Sequence, residues 1–141
     1  MSEYLVIYTD GSSKNDRKKE SSAGIAFYIP SLKLLKSRHT TGTNSVAELL
    51  AIDYALWYAK EKLNNTKVHI HSDSEYAIGV LSGKKKFKAN AKLVEYIING
   101  KISKMDVKFT HIDGHSGIQE NEICDAAAKE AMNKEPTKVK E

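Results

Sequence analysis

The spacing of apolar residues changes period several times along this chain, and each change marks an element. Tyr4 to Asp10 is apolar on both faces, which predicts a strand covered on both sides and therefore central in its sheet. Lys14 to Ser22 is polar and predicts a turn. Ala23 to Ile29 and Leu32 to Thr40 predict two more strands, joined tightly around Pro30 and Ser31. Three consecutive strands with short connections imply an antiparallel meander. Then the period lengthens. Leu49, Ile52, Leu56, Ala59 and Leu63 recur every three or four residues, so Val46 to Leu63 reads as a helix with one buried stripe. Asn44 or Ser45 can cap this helix, and Glu48 stands at capping-box spacing from Ser45. At about 100° per residue, Glu48 falls on the edge of the stripe, partly shielded from water. Trp57 lies beside the stripe and reads as a packing residue.

Lys67 to Asp73 returns as a strand, and a strand–helix–strand succession predicts a right-handed crossover with this strand parallel to the first. A short helix over Ser74 to Leu81, a helix over Asn90 to Ile102, a strand over Asp106 to His111 and a helix over Glu120 to Met132 complete the order β-β-β-α-β-α-α-β-α. The expected fold is α/β: a five-stranded mixed sheet, three antiparallel strands followed by parallel ones, flanked by helices. Residues 1–133 read as a single domain. Residues 134–141, rich in Lys, Glu and Pro without an apolar pattern, read as a frayed tail.

Four carboxylates occupy four separate segments of this pattern. Asp10 ends the first strand, Glu48 flanks the stripe of the first long helix, Asp73 closes the fourth strand, and Asp125 lies in the alanine-rich last helix. Taken singly, Asp10 could open a turn, Glu48 could complete a capping box, Asp73 could cap a helix and Asp125 could be a surface acid. The parallel strands alter that picture. In open α/β sheets the ligand crevice lies beyond the carboxyl ends of such strands. Neighbouring strands run about 4.8 Å apart, so Asp10 and Asp73 could share one metal ion. Asp16, Asp53, Asp106, Glu120 and Glu122 have no such context and read as solvated. His69 and His71 share a strand face and read as hydrogen-bonded packing residues.

Composition narrows the class. The chain has 141 residues, 40% of them hydrophobic and 28% charged, as in soluble globular proteins. No apolar run approaches the roughly 18 residues that span a bilayer, and no secretory signal is visible. With one cysteine, Cys124, no intramolecular disulfide can form, which suits a reducing, cytoplasmic setting. The net charge of +4 fits a polyanion-binding protein, and Lys84, Lys85, Lys86 and Lys88 gather around Phe87 between two helices.

The segments Tyr8-Thr9-Asp10-Gly11-Ser12, Thr43-Asn44-Ser45-Val46-Ala47-Glu48-Leu49, Ser72-Asp73-Ser74 and Gly114-His115-Ser116-Gly117 with Asn121-Glu122 and Asp125-Ala126-Ala127 resemble type 1 ribonuclease H, in that family's order. The resemblance extends from about Leu5 to Met132. It implies an RNase H-like fold and an endoribonuclease that cleaves the RNA strand of RNA–DNA hybrids, leaving 3′-hydroxyl and 5′-phosphate ends. By the same resemblance, Asp10, Glu48, Asp73 and Asp125 hold two magnesium ions, for which manganese can substitute. His115 would shuttle a proton or aid product release. Gly11, Ser12, Thr43, Asn44 and Ser74 would contact substrate, Asn44 reading ribose 2′-hydroxyls, with Lys85, Lys86 and Lys88 as further contacts. A monomer without an obligate protein partner is expected.

Two departures bear on this. Ser13 to Ser22 carries charges where the family commonly has a glycine- and proline-rich turn, and Asp113 stands where a basic or neutral residue is usual. They motivate one alternative, a catalytically weak hybrid-binding relative; a DNA-directed nuclease of the same superfamily, sharing the sheet, is another.

Overall fold

The computed structural model describes residues 3–15, 18, 20–114 and 117–134. The element order follows the apolar pattern: β1 (Leu5–Ser13), β2 (Ser22–Ile29), β3 (Leu34–Thr41), α1 (Asn44–Glu61), β4 (Lys67–Ser72), α2 (Glu75–Leu81), α3 (Ala91–Gly100), β5 (Asp106–His111) and α4 (Gln119–Asn133). The five strands form one sheet in the order β3-β2-β1-β4-β5. The first three are antiparallel, whereas β1, β4 and β5 run parallel. This is the mixed sheet the sequence predicts.

The apolar stripe of α1 does the packing expected of it. Leu49, Ile52, Leu56 and Ala59 are fully buried, joining Ile7, Phe27, Val68 and Ile70 of the sheet in the main core. Val94 and Ile97 of α3 close the same cluster. On the opposite face α4 lies across β1, β2 and β3. Gly24 permits that approach, because a Cβ there would collide with the Ala128 carbonyl and the Met132 amide.

Several boundaries differ from the pattern. Asp10 does not end β1, since Gly11, Ser12 and Ser13 continue in register with Ile25, Gly24 and Ala23. What ends near Asp10 is the parallel pairing, at Thr9 opposite Ser72. Asp73 likewise lies one residue beyond β4. β3 begins two residues late because Pro30–Leu32 forms a 3-10 turn closed by Lys33 in a left-handed conformation. The cap of α1 is Thr43, whose hydroxyl accepts the Val46 amide at 3.2 Å, and not Asn44 or Ser45.

His69 and His71 pack as expected. The His69 ring is 2.6 Å from the Thr110 hydroxyl, and the His71 ring stacks on Tyr8 at 4.8 Å. Two other expectations fail. Asp53 is not freely solvated but forms a half-buried ion pair with Lys101 at 2.7 Å. Trp57 is not a core packing residue: it is 37% exposed and lines a groove with Tyr54 of α1 and Arg38 of β3.

Candidate active site

Parallel pairing of β1 with β4 sets Thr9 beside Ser72, so the next residues, Asp10 and Asp73, emerge together at the carboxyl ends of two adjacent strands. Ser72 helps fix the exit of the chain there. Its hydroxyl accepts the Ser74 amide at 3.0 Å, and the His111 ring donates to the Asp73 carbonyl at 3.3 Å.

Glu48 arrives from α1, and Gly11 is what lets it arrive. A Cβ on Gly11 would fall on the Ala47 carbonyl carbon and the Glu48 amide, so only glycine allows β1 and α1 to touch at this point. The Gly11 amide then donates to Asp10 Oδ1 at 2.9 Å and to Glu48 Oε1 at 2.8 Å. One backbone N–H thus fastens two carboxylates, each by a charge-assisted bond. Glu48 therefore serves no capping box. Gly11→Ala is expected to cost about 3 kcal/mol or more by forcing α1 off the sheet, with a fall in melting temperature and in any activity of the site. Unchanged thermal unfolding would contradict this packing.

Ligand oxygens of Asp10, Glu48 and Asp73 all lie within 4.8 Å of one another. Asp10 is 3% exposed, and its Oδ2 has no hydrogen-bond partner among the described residues. A buried carboxylate oxygen without a donor is costly. Burial first, then the charge of Asp73 and the contact with Asp125, push the Asp10 carboxyl up to about 8. Burial, followed by the charges of Asp10 and Asp73, also holds Glu48 well above the usual carboxylate range. Cys124, buried beside them with its thiol donating to the Tyr8 carbonyl at 3.2 Å, is pushed up by burial and by the same acids. It is a packing residue, as a lone buried thiol suggests.

Asp125 sits at the margin of this group. It reaches Asp10 closely enough to raise its affinity for a proton, while its own Oδ2 pairs with Lys129 at 3.0 Å. The structure therefore gathers three of the four acids tightly, with the fourth adjoining through Asp10. Oxygen donors alone, clustered around a buried unpartnered oxygen, suit a hard divalent cation such as magnesium.

The remaining predicted site residues divide. Thr43 caps α1, and Ser74 caps α2 by accepting the Ala77 amide at 3.1 Å. Asn44 is exposed and accepts the Ser13 amide at 2.8 Å, leaving its amide group free to donate outward. The Ser12 hydroxyl faces Met132 Sδ at 3.5 Å. Lys85 pairs with Glu75 at 3.1 Å; Lys86 and Lys88 are exposed, and none of the three forms an ion pair with the carboxylate cluster among the described residues. His115 lies outside the described residues, as does most of the segment read as a tail. Gly114, which precedes it, lies against Asp73: a Cβ there would stand 3.0 Å from Asp73 Oδ2.

Lys129 escaped the sequence reading, and Asn121 entered it only within the family resemblance, without a role. Lys129 pairs with Asp125 at i,i+4 spacing, which is a readable signal. Asn121 is 3% exposed with Oδ1 unpartnered among the described residues. It occupies the first position of the buried stripe that continues through Cys124, Ala128 and Ala131, where an asparagine is conspicuous.

The family model for RNase H matches residues 2–133. A ribonuclease H of Actinobacillus pleuropneumoniae is 32% identical, over 92% of this chain and 90% of its own. That of Clostridium botulinum is 28% identical, over 92% and 95%. Among solved structures, a ribonuclease H1 isolated from compost by a metagenomic approach superposes with a TM-score of 0.74 at 26% identity, over 92% of this chain and 95% of that one. The family model and these relatives mark the chain as a nuclease-type hydrolase. This chain belongs to the ribonuclease H family.

Proposed function

We propose that this chain is an endoribonuclease that hydrolyses the RNA strand of RNA–DNA hybrids, leaving 3′-hydroxyl and 5′-phosphate ends, with Asp10, Glu48, Asp73 and Asp125 as ligands of two magnesium ions. The observation that carries the reading is the convergence of carboxylates from β1, α1 and the end of β4 within 4.8 Å, around a buried Asp10 oxygen without a partner. Such a cluster is self-repelling unless cations balance it. Manganese, another cation suited to oxygen ligands, can substitute.

Asp10, Glu48, Asp73 and Asp125 would hold the ions, which would supply activation of the attacking water and stabilisation of the departing oxygen. The chain's own residues hold the groups in place. Asp10, at the centre, is locked by the Gly11 amide, which leaves Oδ2 available as a ligand. Glu48 is oriented by the same amide, and Asp125, paired with Lys129 beside Asp10, would leave that pair to join the ligands. Asn44 presents amide donors from the exposed start of α1, where they can meet ribose 2′-hydroxyls, the groups that distinguish RNA. Gly11 and Ser12 follow Asp10, Ser74 follows Asp73 and Thr43 opens the helix of Glu48, so these four would contact the substrate backbone, with Lys85, Lys86 and Lys88 as outlying cations. His115, next in sequence to Gly114, carries the proton-shuttle role. The enzyme acts as a cytoplasmic monomer on a hybrid substrate. Among the described residues no helix is long and apolar enough to cross a membrane.

The test is a competition among an RNA–DNA hybrid, duplex DNA and duplex RNA, each end-labelled, with magnesium or EDTA. Cleavage of the hybrid's RNA strand alone, dependent on magnesium and yielding ends that a polymerase can extend, is expected. Preferential cutting of duplex DNA would assign the chain to another branch of the superfamily. Binding of the hybrid without cutting under magnesium or manganese would remove the catalytic reading.

A further inference from the structure

A second concentration of chemistry lies outside the carboxylate cluster, on the flank formed by α1, the edge strand β3 and the end of α3. Lys36 and Arg38 of β3 lie over the rings of Tyr58 and Tyr54 at 5.8 and 5.0 Å. Lys62 lies over Trp57 at 5.5 Å, and Lys101 over Tyr96 at 4.7 Å. Between them opens a groove of about 340 Å³, lined in part by Arg38, Thr40, Tyr54, Trp57, Tyr96 and Lys101. Trp57 and Tyr96 are 37% and 61% exposed, large rings left to solvent. The acid in the groove, Asp53, is already neutralised by Lys101. Lys36, Arg38 and Lys62 form no ion pair among the described residues, so the flank carries uncompensated positive charge.

We propose that this flank binds single-stranded nucleic acid, as the path of an unpaired strand that continues from a hybrid held at the carboxylates. Its position relative to a hybrid rests on the nuclease reading; its affinity for a single strand does not. Exposed rings interleaved with cations offer stacking platforms to bases and charge to phosphates. Bases paired inside a duplex cannot reach such rings, whereas unpaired bases can turn out and stack. The direction also fits. α1 begins at the carboxylate end and rises about 1.5 Å per residue, so Tyr54 and Trp57 lie about 9 and 13 Å along its axis from Glu48. β3 runs parallel to β1 through β2, so its carboxyl end points the same way as the site. A strand leaving the cluster would meet Thr40, Arg38 and Lys36 in turn.

Trp57 is the only tryptophan of the chain, so its fluorescence reports stacking directly. Titration with a twelve-residue oligothymidylate or oligouridylate is expected to quench that emission saturably, with an affinity that falls as salt rises. Arg38→Glu, at an exposed edge-strand position, is expected to weaken the binding about fivefold or more. In cleavage assays a hybrid with a single-stranded extension should show a KM several-fold below that of the blunt hybrid. Arg38→Glu should erase that advantage while leaving kcat on the blunt hybrid unchanged. Absence of quenching by both oligonucleotides would overturn the proposal. So would stronger quenching by a polyglutamate peptide, or an Arg38→Glu affinity equal to the wild type. Should no hybrid be cut at all, the nuclease reading fails and the fluorescence titration still decides this one.

Discussion

Asp10→Asn is expected to lower the rate of hybrid cleavage by at least about a thousandfold, with little change in hybrid affinity. The side chain keeps its size, and one oxygen can still accept the Gly11 amide, so the fold loses nothing. What disappears is the anionic oxygen at the centre of the cluster. Outer partners of metal ligands are worth 10–100-fold in affinity or activity, and a central ligand more. Steady-state kinetics on a fluorogenic hybrid, beside a direct binding measurement, check this. A variant that cuts within tenfold of the wild type would remove Asp10 from the chemistry.

The same substitution is expected to stabilise the metal-free protein. Asp10 binds its proton up to about pH 8 when folded, against an ordinary carboxyl value near 4 when unfolded. Between those values the native state holds more protons than the unfolded chain, so stability falls as pH rises through that window and levels off above it. Metal-free melting temperature should therefore decline from pH 5 to pH 8 in the wild type and much less in Asp10→Asn. At pH 8 the variant should be the more stable by on the order of 1–3 kcal/mol, or several degrees. Magnesium should reverse the ranking by binding only the native wild-type site. Equal magnesium shifts in both proteins, or a flat pH profile in the wild type, would show that the acids do not repel one another as their geometry implies.

The parts of this architecture that depend on local period were legible in the sequence. The both-faced apolar run of β1, the stripe of α1 and the strand–helix–strand succession suffice to put β1 and β4 side by side in parallel. From that pairing alone Asp10 meets Asp73. Tertiary choices were less accessible. Thr43, Asn44 and Ser45 are three consecutive capping residues, and Thr43 takes the role while Asn44 is engaged by the Ser13 amide. Glu48 is claimed by Gly11, a contact 37 positions away, in place of a capping box. Asp53 and Lys101 meet across 48 residues with no local signal. Helical periodicity sets Trp57 beside the stripe but does not give the groove it lines with Arg38 and Tyr96, so its exposure emerges only from the fold. Asp10, Glu48 and Asp73 converge as the family resemblance implies, and the diversion of Asp125 toward Lys129 is the detail that i,i+4 spacing alone could have supplied.

The central claim is that folding assembles a divalent-cation site from separated acids, and anomalous diffraction from a crystal soaked in manganese tests it most directly. The account predicts strong anomalous peaks in contact with Asp10, Glu48 and Asp73, with Asp125 released from Lys129 to join them, and their loss in Asp10→Asn crystals. Manganese found elsewhere on the surface, with the Asp10 cluster empty at saturating concentration, would contradict it.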